Sequence, residues 1–413
     1  MTDTNETSDR PISENKKKVS IAIVVPELLP VPPVKGGAVE HWVDEIIKRL
    51  DRSIYDITVV SRPAGVVGEP AVRYLGIPWT STEHFFHRLK EKVTWRNPLR
   101  YLAKIQNVAS YGLRVAKAVR NTDIVYVHNE PNLLLFINKQ PQQKLVLHMH
   151  NDHLCIRLFR PFYRRALAKA DQVICVSDYI RQSALRYFPE YADRFTVVFN
   201  ATDPESFKPY ANEALNALDG IVEIDEDQQY LLYVGRLNPV KGVHVLIEAF
   251  RDIHVRMPNV RLIIAGSSFF GGAARTSYEE RLVKLAEPVS DAIVFTGFLP
   301  HEKLKYLYSA VDLIVLPSVW QDPCPLVVLE AMASGTCLIS SAVGGVPEVV
   351  ENHKSGILVA PADVSALANA ICSVLEKPDE KNRIEKYARE KIVKGYTWER
   401  LVDELQIVFG TLK

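Results

Sequence analysis

From residue 19 onward, short dense apolar runs alternate with stretches whose apolar residues return every three or four positions. Residues 19–26 form such a run, rich in β-branched side chains, and fit a strand buried on both faces of a parallel sheet. A Pro/Gly-rich loop follows, and then Val39, Val43, Ile46, Ile47 and Leu50 recur at helical spacing. Further strand-like runs lie at 57–61, 124–128, 144–148, 172–176 and 195–199, with helical patterns between most of them. A second series starts after the polar segment 200–209. Its strand-like runs are 230–234, 260–265, 292–296, 313–316 and 337–340, and its helical patterns include 242–251, 301–309 and 326–334. Alternation of this kind predicts an α/β protein built from two Rossmann-like halves with doubly wound parallel sheets. The expected division is a polar tail 1–18, an N-terminal domain 19–204 and a C-terminal domain 205–396. The closing pattern, 397–409, lines Trp398, Leu401, Leu405 and Val408 on one side of a helix. Segment 397–413 packs either on its own half or back on the first.

Composition narrows the classes. A chain of 413 residues with 47% hydrophobic content supports more than one core. A formal charge of +1 excludes a generally basic nucleic-acid binder, though not a local patch. The five cysteines are odd in number and show no CxxC pair, which suggests neither a disulfide framework nor a zinc site. Reduced thiols and a cytoplasmic setting are the simplest reading. No apolar run reaches the roughly 18 residues of a membrane span. The segment Met1 to Lys18 lacks the apolar stretch of a signal peptide and reads as a disordered, solvated tail ending in three lysines.

The segment from Trp320 to Gly335 is the most informative. It sets one carboxylate, Asp322, just ahead of an apolar helix and a second, Glu330, inside it. Pro325 suits the first helical turn and Gly335 the C-terminal stop. If the intervening residues are helical, the two acids stand about 12 Å apart. That is too far for a hydrolase pair, which needs roughly 5–9.5 Å. It suits a grip on the two ends of an elongated ligand, with the helix N-terminus favouring an anion between them.

Other polar segments fall where strands end. Gly36 and Gly37 form either a plain tight turn or a backbone approach to phosphate or sugar. Arg236 and Lys241 flank a strand-to-helix loop closed by Gly242, without the GxxxxGK[ST] pattern of a Walker loop. They are either solvated cations or the partners of a diphosphate. His148, His150 and His153 lack the HExxH spacing of a helical metal pair, and no matching carboxylate cluster is evident. One of them at the strand tip can donate to a sugar hydroxyl or to developing charge. Basic residues gather at Arg88, Lys90, Lys92, Arg96, Arg100, Lys104, Arg114, Lys117 and Arg120, interleaved with Phe85, Phe86, Trp95 and Tyr101. Arg157, Arg160, Arg164, Arg165 and Lys169 extend the theme. These are either ordinary solvated helix faces or a surface for an acidic acceptor or an anionic membrane.

In this order, the pieces resemble the retaining glycosyltransferases of family 4, whose GT-B fold has two Rossmann-like domains with parallel sheets facing across a cleft. The most specific match is Asp322 with Glu330, followed by Ala331 to Gly335. Gly235 to Gly242, Val343 to Glu348, Gly36 and Gly37, the strand end at His150, Val176 and Ser177, and Asn200 to Phe207 also match. The resemblance implies that Glu330 binds the ribose of a nucleotide and that Arg236 and Lys241 hold its diphosphate. Gly37 approaches the phosphate from the opposite domain. His150 and Asp322 contact the donor sugar as the catalytic pair. Gly266 and Leu299 edge the base, and Leu326 opens the donor-binding helix. It further implies no metal and no cofactor, because Arg and Lys do that electrostatic work. The mechanism implied is front-face displacement with retention, the leaving phosphate helping to deprotonate the acceptor.

Three positions depart from the family pattern. Asp322 replaces a usual Glu, Cys324-Pro325 a usual Phe-Gly, and Ala201 a usual Gly. Pro325 brings no backbone N–H to the sugar end. Within the family, the chain resembles members of the Bacillus type linked to spore-coat and surface-polysaccharide synthesis. The expected activity is hexosyl transfer from a UDP-sugar, or alternatively GDP-mannose, to a hydroxyl of a glycan or lipid-linked acceptor. The expected place is the cytoplasm, peripherally at the inner membrane face or the spore coat. A non-catalytic coat component and a sugar-nucleotide epimerase are the alternatives of the same shape.

Overall fold

The β-branched runs build two sheets. The structure is a computed structural model that describes residues 17–34, 37–92, 98–267 and 276–412. Most of the expected tail (1–16) and Gly36 lie outside the described residues. The first sheet holds β1 (Val19–Val24), β2 (Tyr55–Ser61), β3 (Arg73–Gly76), β4 (Ile124–His128), β5 (Lys144–Met149), β6 (Gln172–Cys175) and β7 (Phe195–Val197). Their spatial order is β3-β2-β1-β4-β5-β6-β7. The second sheet holds β8 (Gln229–Val234), β9 (Val260–Ala265), β10 (Ile293–Gly297), β11 (Leu313–Leu316), β12 (Cys337–Ser341) and β13 (Ile357–Val359), in the order β10-β9-β8-β11-β12-β13. Every strand pairing in both sheets is parallel.

The central strands carry no polar alternation because helices cover both faces. Ile21, Ile23 and Val24 of β1 are fully buried, as are Leu231 and Leu232 of β8. The apolar runs predict eleven of the strands to within two residues at each end. The two missed, β3 and β13, are four- and three-residue sheet edges. β3 is half-exposed to exposed along its length, so its sequence lacks a dense apolar run.

The C-terminal helix Trp398–Thr411 crosses back to the first sheet. Thr397 caps it, accepting from the Arg400 backbone N–H at 3.3 Å. Leu401, Leu405 and Phe409 are buried in one cluster with Ile21, Ile23, Trp42, Ile46 and Tyr126. Phe409 meets the Tyr126 ring edge-on at 5.2 Å, and Trp398 meets Trp42 at 6.3 Å. The two lobes also meet at the carboxyl ends of their sheets. The Glu348 carboxylate, after β12, accepts backbone N–H groups of Asp178 and Tyr179 at 2.7 Å each, capping the helix that follows β6. The Asn200 side-chain amide donates to the Cys324 carbonyl at 2.8 Å. Among the described residues, no helix is long and apolar enough to cross a membrane.

Because Leu405 is fully buried between the C-terminal helix and the first sheet, Leu405→Ala should lower unfolding free energy by about 2–5 kcal/mol. Urea denaturation measures this, and a loss of a few tenths would contradict the packing.

Candidate active site

In an open parallel sheet, a crevice forms where strand order reverses, because the flanking crossovers leave in opposite directions. That point lies between β1 and β4 in the first sheet and between β8 and β11 in the second. The loops leaving β8 and β11 contain Arg236, Lys241 and Asp322.

The loop after β11 runs through a narrow gap. A Cβ on Gly242 would stand 1.8 Å from the Pro317 carbonyl oxygen, and one on Gly344 would stand 2.0 Å from that of Asp322. Both residues also have positive φ, 72° and 55°. Backbone bonds complete the clamp: Val319 N–H donates to Val240 O at 2.9 Å, and Gly345 N–H to Asp322 O at 2.9 Å. The Gln321 side chain accepts from Gly344 N–H at 2.7 Å. Asp322 is thereby fixed, 7% exposed, with its carboxylate against the Lys241 ammonium. Lys241 is held by a short turn that Asn238 caps. The Arg236 guanidinium is exposed and makes no ion pair among the described residues.

The helix Leu326–Ala333 begins where the 326–334 pattern puts it, with Pro325 just ahead of it rather than in its first turn. Pro325 is its N-cap, with extended backbone (φ −70°, ψ 128°), and its carbonyl accepts from Val328 N–H at 3.1 Å. Asp322 to Pro325 are non-helical, so the helical rise assumed between the two acids does not apply. Gly335 ends the helix with φ 70°, as expected. Glu330 is 6% exposed and both its oxygens are taken. One accepts from the buried Tyr308 hydroxyl at 2.9 Å, the other meets His301 Nε2 at 3.0 Å. Neither partner was singled out from sequence. They lie more than twenty residues before Glu330, and only the fold brings the helix His301–Ser309 alongside.

The first lobe forms the facing wall. Gly37 (φ 109°) precedes the helix Ala38–Arg49, and its carbonyl accepts from His41 N–H at 3.0 Å. A Cβ there would lie 2.1 Å from Glu40 Oε2, so that carboxylate fills the space a side chain would need. Burial pushes the Glu40 carboxyl up to about 7, against its own backbone hydrogen bond. The His41 ring reaches the His301 ring across the lobes, 6.5 Å between centroids. This sets the start of that helix opposite Glu330.

His150, just beyond β5, is one of three packed imidazoles rather than a lone ring. Its Nε2 lies 3.0 Å from His128 Nδ1, and its ring stacks on His148 at 4.3 Å. Tyr126 OH meets His148 Nδ1 at 2.5 Å, and Trp42 packs edge-on against His148 and His150. Burial lowers the His150 value to about 3, so the ring is neutral at physiological pH. It can donate or accept a hydrogen bond but cannot bring positive charge to a developing anion. The three rings present nitrogens within 4.8 Å of one another. Their planes lie within 32° of parallel, which suits a stack of neutral rings better than three lone pairs aimed at one ion.

Gly266 and Leu299 lie at the ends of neighbouring strands. A Cβ on Gly266 would stand 1.9 Å from Gly235 O, and its N–H donates to Gly297 O at 2.8 Å. Leu299 and Leu326 are half-buried against the core that joins the lobes. Lys241 and Asp322 are thus in contact and Glu330 lies on the helix that follows. Gly37 and His150 stand on the other lobe, linked through Trp42 and His41.

Several expected surface cations are engaged. Arg114 pairs with Glu83 at 2.5 Å, Lys104 with Glu130 at 3.7 Å and Arg164 with Glu190 at 2.8 Å. Arg160 lies over the Tyr187 ring, and Lys169 donates to the carbonyls of Leu134, Leu135 and Ile137. Arg88, Lys117, Arg120, Arg157 and Arg165 stay exposed. The side chains of Lys90, Lys92, Trp95, Arg96, Arg100 and Tyr101 lie outside the described residues.

A cation, two carboxylates and a helix N-terminus on one loop system can hold an elongated anionic ligand with hydroxyls at both ends. The two halves match separate family models: Glycosyltransferase Family 4 over residues 35–206 and Glycosyl transferases group 1 over residues 216–391. The chain belongs to the family 4 glycosyltransferases of GT-B fold. Glycosyltransferase YtcC of Bacillus subtilis is 29% identical over 405 residues, covering 95% of this chain and 92% of that one. Spore coat protein SA of the same organism is 27% identical, covering 95% and 99%. The lipopolysaccharide 1,2-N-acetylglucosaminetransferase of Salmonella typhimurium is 25% identical, covering 94% and 97%. The fold is shared with Anabaena HepE in complex with UDP, at a TM-score of 0.72 and 20% identity over 95% of this chain and all (100%) of that one. A glycosyltransferase from Rickettsia africae superposes at 0.75 and 18% identity, covering 96% and 98%.

The Glu40 carboxyl yields a prediction. Its raised value means the folded state holds the proton more tightly than the unfolded chain. Stability therefore falls as pH rises from about 4.5 to about 7. Glu40→Gln should raise the melting temperature near pH 8, by up to about 3 kcal/mol of stability, and leave it nearly unchanged near pH 4. Calorimetric melts at both pH values check this.

Proposed function

We propose that the chain moves a hexosyl group from a nucleotide-sugar, best matched by a UDP-sugar, to a hydroxyl of a glycan or lipid-linked acceptor. The observation that carries this reading is the series Glu330, helix N-terminus, Lys241 and Asp322 along the loops at one strand-order reversal. Glu330 would take the ribose hydroxyls. Lys241 and Arg236 would neutralise the diphosphate, with the Leu326 end of the helix adding its partial positive charge. Asp322 and neutral His150 would hydrogen-bond the sugar from opposite lobes, with Gly37 facing the phosphate. Gly266 and Leu299 would edge the base. The reading needs no cofactor or metal, because fixed cations meet the diphosphate. Anabaena HepE in complex with UDP, and with UDP-glucose, supports the choice of donor.

In the reaction, the bond from the sugar's anomeric carbon to the β-phosphate oxygen breaks, and a bond to the acceptor oxygen forms on the same face. The acceptor proton passes to the departing phosphate, and the nucleoside diphosphate leaves. Lys241 is the group that matters most as charge builds on that phosphate. The Lys241 ammonium is paired with Asp322, so the diphosphate would draw it away and leave the Asp322 carboxylate for sugar hydroxyls.

The acceptor side is read from the first lobe. The helix Pro98–Ala118 exposes Leu102, Ile105 and Leu113, the last 63% exposed, and packs beside the helix Ser81–Lys92, which exposes Phe85. Leu158 and Phe162 are exposed near Arg157 and Arg165. Apolar side chains among exposed cations fit a peripheral contact with anionic lipid, at the cytoplasmic membrane face or a forming spore coat. A lipid-linked acceptor would be met there, for surface or spore-coat polysaccharide.

Lys241→Ala and Glu330→Ala should each weaken UDP binding about tenfold or more. Titration calorimetry giving wild-type affinity in both would sink the assignment. Asp322→Ala should lower transfer from a UDP-hexose more than it lowers affinity for bare UDP. Equal losses would contradict a sugar contact.

Cosedimentation with anionic vesicles should fall as salt rises past about 0.15 M. Binding that ignores salt, or no binding, removes the membrane contact.

A further inference from the structure

Glu330 is held from two sides by unequal partners. Tyr308 is 0% exposed and donates its hydroxyl to Glu330 Oε2 from within the core. Burial and the Glu330 carboxylate hold that phenol well above its ordinary value, so it keeps its proton and its donor role. His301 is the first residue of its helix, follows Pro300, and has a side chain 60% exposed. Its ring rests against Phe207, at 5.1 Å, and the His41 ring of the other lobe. One partner is immobile and the other stands at the rim. Glu330 Oε1 is thus covered by the exposed partner and Oε2 by the buried one.

We propose that His301 gates the ribose end of the donor site. Its imidazole caps the Glu330 oxygen that a ribose diol requires, and a nucleotide enters by displacing it while Tyr308 keeps the carboxylate aimed. This rests on the donor-site reading given above. It extends that reading to a residue outside the acidic pair and the basic loop.

The charges around the ring set the sign of the effect. Glu330 faces it from the helix Leu326–Ala333, Glu302 lies beside it on its own helix, and Glu45 and His41 face it from the helix Ala38–Arg49. The hydrogen bond to Glu330 leads the causes that raise the imidazole above its ordinary value, against burial; Glu45 and Glu302 add to the rise, while His41 is itself held neutral-favouring by burial and by His301. The imidazolium–carboxylate pair is thus fully formed below about pH 6.5 and fades as pH rises through the raised value. A nucleotide competes with a charged cap on the acid side and with a weaker, neutral one on the alkaline side.

The test is titration calorimetry of the full chain with UDP near pH 6 and near pH 9, for wild type, His301→Ala and Tyr308→Phe. His301→Ala should bind UDP about tenfold more tightly than wild type near pH 6, with the gap closing near pH 9. Titration of the UDP phosphate affects every variant alike, so the difference between proteins is the readout. Tyr308→Phe should weaken binding by a similar factor at both pH values. His301→Ala binding as wild type or more weakly at both pH values would overturn the gate, and so would a gain in Tyr308→Phe. Wild type that binds none of UDP, GDP and ADP would overturn the donor-site reading and the gate with it. Wild type that binds UDP with an unchanged His301→Ala difference across pH would overturn the gate alone.

Discussion

The site depends on how closely three pieces of backbone approach one another. The chain leaving β11 passes between Gly242 on one side and Gly344 on the other, at separations that leave no room for a Cβ. This contact fixes where Asp322 points, seats the turn that presents Lys241, and sets the angle at which the helix Leu326–Ala333 enters the core. Glu330 is carried on that helix. A loop free to drift by an ångström would lose the register among all three charged groups, and the fold prevents drift with backbone rather than with side chains. Glycine here is a requirement of close packing as much as of positive φ.

The charged groups of the site pair with one another. Lys241 meets Asp322 and His301 meets Glu330, so the buried carboxylates are not left uncompensated. An incoming ligand therefore exchanges partners instead of filling an empty field. The opposite lobe contributes neutral groups: the His128–His148–His150 stack is held below its ordinary value by burial, and Trp42 closes its side. The paired charges lie on one wall, and the imidazole stack on the other offers neutral, hydrogen-bonding groups. The two are tied by Glu348 capping the helix after β6, by Asn200 on the Cys324 carbonyl, and by the C-terminal helix returning to the first sheet.

Legibility followed chemistry at some positions and failed at others for definable reasons. Central strands were readable because burial on both faces demands continuous apolar runs, as in β1 and β8. The edge β3 was not, since a short strand with one neighbour can remain half-exposed and polar, and β13 was not because its three residues, though apolar and mostly buried, are too few to stand out as a run. The acidic pair was recognisable from spacing and helix signals, yet the segment between its members is partly extended, so the rise inferred for a continuous helix fails. His301 and Tyr308 carry no local signal, because partners brought together by a crossover leave no trace in sequence spacing. The cationic cluster looked uniform in sequence. In three dimensions Arg114, Lys104 and Lys169 are tied to Glu83, Glu130 and backbone carbonyls, which leaves fewer free charges than composition suggests.

The sequence by itself determined the two parallel sheets, the strand-to-helix loops and the residue types at the strand ends. Apolar periodicity and helix punctuation are local, and local physics writes them directly into the chain. Only the tertiary structure decided which groups touch. It put the Asp322 carboxylate on Lys241, gave Glu330 one buried and one exposed partner, turned His150 into a neutral member of a stack, and carried the last helix back to the first lobe. Contacts between distant segments depend on how the two sheets dock. That docking is set by the summed packing of both lobes rather than by any short stretch of residues.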